Sequence, residues 1–288
     1  MLIKDYIAKV HEATGRKNLN ILAGILEEFH PGLKVDSFNF DLTTGFMEFL
    51  RTHPRGFRVA SINYYYDTLC FVLNRAARQY TIDDGYLDVR RLHREEVTKV
   101  YLTIDEIHSL AALRLRPAKA AIRDHFIVMC YTGLRFSDEK RLRPEHISGD
   151  NIIIRTKKTR ENVVIPVHPI VREIFSRWGK QFPRVPSQQC FSKSIKEICR
   201  RIGLDEPVFI EYTRFKKIER KFYHKWELVS THTGRRSFAT NAYLAGIQPA
   251  KIMLFTGHTT EQSLFKYIHI NKTENARELV DHPFFSGK

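Results

Sequence analysis

Cysteine is scarce in this chain, and what there is forms no pattern. The four residues Cys70, Cys130, Cys190 and Cys199 stand in apolar or helical contexts with no C-x-x-C pair, which argues against a disulfide framework and a zinc knuckle and reads them as buried thiols. Long hydrophobic runs are missing as well. No window approaches the roughly 18 to 20 consecutive apolar residues of a membrane span, and the N-terminus MLIKDYIAKVHEATG has no signal-peptide pattern. A soluble, intracellular chain is expected, cytoplasmic and not bound to a membrane. Internal repeats and low-complexity tracts are also lacking, and with 43% apolar residues the chain can bury a proper core. Acidic residues are the minority: 32 Asp+Glu stand against 47 Lys+Arg, a formal charge of +15 and a pI near 9.7. Such an excess favours DNA or RNA over acidic small molecules, because each neutralised phosphate releases counterions. Basic structural proteins share the feature, so charge alone does not name a partner.

At 288 residues, two domains are the better expectation. Residues 1 to about 95 read as several helices, with apolar spacing over Asn18 to Phe29, Thr43 to Leu50 and Ser61 to Tyr80. The run Tyr64, Tyr65, Tyr66 reads as partial core burial rather than base stacking. Arg75, Arg78 and Lys99 are candidates to track phosphates, with ordinary solvated charge as the alternative. A break at Asp83-Asp84-Gly85 leads into the charged stretch Asp88 to Lys99, read as an interdomain linker. Beyond it Thr103 and Glu106 have the spacing of a capping box. Helix Pro117 to Tyr131 should end at Gly133, with a second helix from Ser137. Asn151 to Thr156 and Asn162 to Val167 form a hairpin with Lys158 near its tip, and Val208 to Arg214 with Ile218 to Tyr223 a second pair. Further helices are expected at Pro169 to Trp178, Ser192 to Ile202, Thr233 to Ala245, Pro249 to Phe255 and Thr260 to Ile268. The class is mainly α with small β-hairpins.

Four short segments beyond residue 130 hold residue types that a phosphodiester exchange needs. Attack on a DNA phosphate builds charge on its non-bridging oxygens, which paired arginine forks can stabilise; a nucleophile and a proton donor complete the set. Arg135 lies in a turn after an apolar helix, in YTGLRFSDEKRL, with a salt bridge to Asp138 as the alternative reading. Arg235 follows His232 by three residues in HTGRRSFAT, on one face of a helical turn. Gly257 presents His258 in a turn, and Tyr267 follows nine positions later in LFKYIHI. A phenol with a pKa near 10 is a poor nucleophile at neutral pH, so it requires a cationic pocket and a proton acceptor.

The ordered run TGLRFSD, HTGRRSFAT, TGH and KYIHI resembles the tyrosine recombinase or phage integrase family, over about Thr103 to His269. The segments KKTRENVVIPV and WELVSTHTGRRSFATNAYLAG are most similar to integrases of Bacteroidetes-type mobile elements. The resemblance implies that Arg135 and Arg235 bind the scissile phosphate, that His232 and His258 hydrogen-bond it and assist proton transfer, and that Tyr267 forms a 3′-phosphotyrosine. Lys158 matches the lysine that protonates the departing 5′ oxygen; Lys157 is adjacent, but the register through Thr159 and the Val163 to Pro166 strand favours Lys158. Asp138 matches an acidic position that supports the pocket without ligating a metal. The family's fold would make residues 1–95 a helical, SAM-like core-binding domain and 96–288 the catalytic domain, together clamping duplex DNA. Many members carry a further N-terminal arm-binding domain; the resemblance then implies either a recombinase without arm sites or a truncated chain.

A tyrosine nucleophile conserves the phosphodiester, so neither ATP nor a metal is required, and no cofactor is expected. Four cleavages per exchange imply a homotetramer on double-stranded DNA, in a nucleoid-associated setting and with possible DNA-bending or directionality factors. The segment Asn271 to Lys288, with Leu279, Val280, Phe284 and Phe285, is expected to dock either on a neighbouring protomer or on its own domain. Two competing readings are a type IB topoisomerase-like relaxing enzyme and a non-catalytic DNA-binding regulator. The latter would be marked by loss of Tyr267 or an arginine, and none is lost.

Overall fold

The computed structural model describes residues 1–93, 99–179, 183–269, 280 and 283–286. The chain separates into two compact units: Met1–Val97 together with Phe209–Lys221, and Thr98–Val208 together with Phe222–Lys288.

The first unit is built on four helices, α1 (Ile3–Thr14), α2 (Asn18–Phe29), α3 (Phe40–Thr52) and α4 (Val59–Ala76). Apolar residues at helical spacing turn inward: Ile3, Ile7 and Val10 of α1 meet Leu19, Leu22, Ile25 and Leu26 of α2 in one core. α3 starts earlier than its apolar pattern suggests because Asn39 caps it, its side chain accepting from Leu42 N at 2.8 Å. α4 ends at Ala76 rather than Tyr80. Of the three consecutive tyrosines, Tyr66 is buried and donates to Tyr86 O at 2.9 Å, whereas Tyr64 is 49% exposed.

The start of the stretch read as a linker packs instead. Val89 is buried, and Asn63 pins Leu92 with two hydrogen bonds, Nδ2 to Leu92 O at 2.7 Å and Leu92 N to Oδ1 at 2.9 Å. The rest of that stretch, 94–98, lies outside the described residues. The hairpin tip at Phe209–Lys221 joins this unit through Arg58, stacked over the Tyr212 ring at 4.3 Å, and through an ion pair of Lys216 with Glu48.

The second unit is centred on α6 (Pro117–Thr132), which packs against α5 (Ile104–Ala112), α8 (Pro169–Trp178), α9 (Gln188–Arg201) and α11 (Thr231–Leu244). The capping box of α5 is present, with Thr103 and Glu106 satisfying each other's backbone amides. A three-stranded antiparallel sheet runs in the order β1 (Ile147–Ser148), β2 (Asn151–Arg155) and β3 (Asn162–Pro166), with Ile152 opposite Ile165 and Ile154 opposite Val163. Those four residues face the core, as the period of two requires. β4 (Pro207–Arg214) and β5 (Lys217–His224) pair separately, with only their outer ends in this unit and Phe209–Lys221 in the first. α10 (Lys225–Leu228), α12 (Pro249–Thr256) and α13 (Glu261–Phe265) complete the described unit, apart from a short helix at Pro283–Ser286.

Three thiols are buried, but Cys190 is exposed, because it falls on the solvent side of the first turn of α9. Leu279 lies outside the described residues, and Val280, Phe284 and Phe285 are exposed. No described helix is long and apolar enough to cross a membrane.

Gly133 ends α6 at φ 65, and a Cβ there would collide with the Phe238 ring. Gly133→Ala combines left-handed strain with that collision. The expected result is a loss of about 2 kcal/mol or more, read as a lower urea midpoint; an unchanged midpoint would show that the turn can relax.

α6 also carries a buried ion pair that its apolar neighbours conceal. His125 lies between the Glu139 carboxylate, 2.6 Å from Nδ1, and the Pro183 carbonyl, 2.8 Å from Nε2. Burial works against the imidazolium, but Glu139 and then Pro183 outweigh it and hold the pKa above the usual 6.5. Because the folded value lies above the unfolded one, this stabilisation is complete below about pH 6.5 and lost as pH rises through the folded value. Thermal melts from pH 6 to 9 should therefore show a destabilisation on the alkaline side that His125→Gln lacks. Parallel pH profiles for the two proteins would refute the assignment.

Candidate active site

All seven residues singled out from the sequence lie in the second unit, on elements that α6 and α11 hold in place. Gly133 turns the chain out of α6, and Arg135 becomes the residue that caps α7 (Phe136–Glu139), its carbonyl accepting from Asp138 N at 2.8 Å and Glu139 N at 2.9 Å. Its side chain makes no ion pair with Asp138. Instead Asp138 Oδ1 accepts from the backbone N of Lys157 at 2.8 Å and faces Arg141 at 3.6 Å, which ties α7 to the β2–β3 loop. That loop is closed by the Thr156 and Thr159 hydroxyls, 2.7 Å apart, and by Arg160 N donating to Thr156 O at 3.1 Å. Lys157 and Lys158 are left exposed at its tip.

Arg235 is the largest fully buried side chain, 2% exposed. One amino group donates to Gly133 O at 2.7 Å; the other donates to Thr256 O at 2.6 Å and lies 3.0 Å from His258 Nε2. Its guanidinium stands over the Tyr267 ring, 5.3 Å from the centroid, and the His258 and Tyr267 rings are 5.0 Å apart. Gly234 lets α11 approach this closely, since a Cβ there would come within 2.8 Å of Met129 Cβ on α6. Arg235 thus fastens the end of α6 to the end of α12 while facing the phenol.

The protonation pattern follows from the contacts. The Thr256 hydroxyl donates to Ile252 O at 2.7 Å, so it must accept from His258 Nδ1 at 2.8 Å. His258 is therefore the neutral tautomer with its proton on Nδ1, and Nε2 is free to accept. Burial, then Arg235, Arg135 and Lys158, hold its pKa down at about 3. His232, at the solvent edge of α11, is lowered by partial desolvation and then by Arg236, Arg235 and Arg135. Burial and then Arg135 bring Arg235 down to about 9, opposed by Tyr267 and Asp138, which leaves the guanidinium charged at neutral pH.

The structure therefore brings Arg135, Arg235, His258 and Tyr267 into one electrostatic neighbourhood, with His232 and Lys158 at its edge and Asp138 beneath the loop. Two buried donors in it, Arg135 Nη1 and Arg235 Nε, have no hydrogen-bond partner. Orphaned guanidinium donors side by side are costly unless an anion accepts from them. A tetrahedral oxyanion fits that role, because its several oxygens can meet both forks. Three contributors escaped the sequence reading: Thr256, which sets the His258 tautomer, the Gly133 carbonyl, and the backbone amide of Lys157. A threonine before Gly257-His258 was the only available signal for the first; backbone anchors leave none.

Residues 91–274 of the chain match the phage integrase family. No curated protein sequence matches it. Among solved structures, it is similar to the Tn1549 transposon integrase in complex with transposon right end DNA, at 17% identity and a TM-score of 0.69 over 97% of this chain and 98% of that one. A lambda integrase dimer bound to a COC′ core site gives 14% and 0.69 over 93% and 96%. The XerH site-specific recombinase bound to palindromic difH substrate gives 13% and 0.61 over 96% and 76%. At such identities the likeness is one of fold.

Proposed function

Because the chain belongs to the phage integrase family, and is thereby a site-specific tyrosine recombinase, we propose that it breaks and rejoins DNA through a phosphodiester bond to Tyr267. Arg135 and Arg235 grip the scissile phosphate through their unpartnered nitrogens and His232 donates from the open side; the phosphate's charge offsets the cations that hold His258 down, so that its Nε2 receives the phenolic proton once the Arg235 fork turns to the phosphate. The phenoxide attacks phosphorus, the bond to the 5′ oxygen breaks, and Lys158 returns a proton to that oxygen. The 5′-hydroxyl of a second strand then reverses the step on the 3′-phosphotyrosine, so no energy source is consumed.

The observation that carries this reading is the Tyr267 ring lying 5.3 Å beneath the Arg235 guanidinium and 5.0 Å from the His258 ring, beside two buried donors without acceptors. Residues 1–95 serve as the helical core-binding domain and 96–288 as the catalytic domain on duplex DNA. Four protomers act together to exchange two duplexes, and the substrate is the end of a mobile element of Bacteroidetes type. The test uses a nicked duplex spanning the junction of the element that carries the coding sequence. After denaturation and proteolysis, the nucleotide-bearing peptide should map to Tyr267. An adduct on another residue, or cleavage with no adduct, would overturn the mechanism.

A further inference from the structure

Beside the catalytic constellation, on the next residue of the same helix, stands a second group of cations with no assigned task. Two segments of the chain pack along α11 near Arg236. The first is fixed where Leu102 N donates to Ser237 Oγ at 2.8 Å and Asn241 Nδ2 to Leu102 O at 2.9 Å. The second is fixed at Thr240, which donates to Tyr267 O at 3.3 Å and accepts from His269 N at 3.1 Å. Lys99, at the start of the first segment, reaches across to Lys266 O at 3.5 Å. The result is that Lys99, Arg236, Lys266 and His269 converge on one spot.

Among the described residues Lys99, Arg236 and Lys266 have no acidic partner, and the half-buried Arg236 makes no hydrogen bond. The His269 Nε2 atom is buried without a partner. The groups press on one another: Lys99 is lowered by burial and by Arg236 and Lys266, and His269 is brought to about 4 by burial, Arg236 and Lys99. Three positive charges gathered without a counter-charge among the described residues stabilise an anion that enters between them. Arginine in particular suits phosphate, through its planar fork.

We propose that Arg236, Lys99 and Lys266, backed by His269, form a second anion site that holds a backbone phosphate of the bound duplex other than the one that is cut. The proposal rests on the DNA-cleaving reading of the adjoining site. Arg236 follows Arg235 directly and Lys266 precedes Tyr267, so a phosphate seated here fixes the cut strand next to the nucleophile. Such a contact positions and carries no sequence information.

The experiment uses the full chain carrying Tyr267→Phe, so that no covalent step intervenes, and a fluorescent random-sequence duplex titrated at several NaCl concentrations. Arg236→Gln should lower the slope of log Kd against log[NaCl] by about 0.9, the share of one phosphate, with the melting temperature kept within the error of the parent. Adding Lys99→Ala should weaken binding further without another drop of that size, because both residues hold the same phosphate. Arg236→Lys should restore the slope. An unchanged slope in Arg236→Gln, or a second full drop on adding Lys99→Ala, would overturn the proposal. The readout needs no cleavage, so its failure is distinct from a failure to find the Tyr267 adduct.

Discussion

Tyr267→Phe is expected to leave a protein that folds and binds duplex DNA yet forms no covalent adduct, a loss of cleavage on the order of 10⁴-fold or more. The ring packs on the small apolar cluster of Ala239, Ala242, Ile252 and Leu264, and that packing survives removal of a single oxygen. What disappears is the phenolic oxygen proposed above as the nucleophile, on a ring that lies under a guanidinium. The phenol's hydrogen bond with Arg235 is lost, but Tyr267 is only half-buried, so the melting temperature should fall by no more than about 4 °C. Denaturing gels of 5′-labelled duplex give the readout, alongside gel-shift titration of the same samples. An adduct of normal yield would mean that another side chain is the nucleophile, and the site described here would lose its purpose.

The sequence spoke clearly where chemistry dictates residue type and was silent where tertiary approach does. The α2 boundaries, the α5 capping box and the Gly133 and Gly257 helix ends follow from local rules, and the structure has them. α1 went unread as a separate element although Ile3, Ile7 and Val10 mark one face. The two-residue β1 is too short for a periodic signal and exists only because β2 lies beside it. The β4–β5 pair is legible from its two β-like runs, although its turn passes through Phe215 and Lys216 at φ 48 and 61 rather than through an Asn-Gly signal. Nothing local shows that Phe209–Lys221 joins the first unit rather than the second.

In the site, the residue types expected for a phosphodiester exchange single out Arg135, Arg235, His258 and Tyr267, and the structure places these four side chains in one neighbourhood. The alternative pairing of Arg135 with Asp138 was reasonable on spacing alone. It fails because α7 aims the carboxylate at the Lys157 amide, a partner nineteen residues away that spacing rules do not reach. Similarly, the identity of the His258 tautomer depends on the Thr256 hydroxyl being already committed to the helix behind it.

The two arginines should separate when each is changed, because they differ in what they hold in the free protein. Arg235 satisfies the Gly133 and Thr256 carbonyls; in Arg235→Lys a single ammonium cannot span both, and a buried carbonyl left without a donor costs about 1 to 3 kcal/mol. That variant should melt lower and cleave at least about 100-fold more slowly, the scale of losing one preorganised donor for developing phosphate charge. Arg135 holds nothing comparable: its Nη1 is buried and unpartnered, and its charge opposes that of Arg235. Arg135→Met should therefore cleave as poorly as Arg235→Lys while melting no lower than the parent, or higher, because it removes an unsatisfied donor and a repulsion together. Differential scanning calorimetry beside single-turnover cleavage separates the cases. A destabilised Arg135→Met would show that this guanidinium supports the fold before it ever meets a phosphate, and full activity in that variant would remove it from the phosphate pocket.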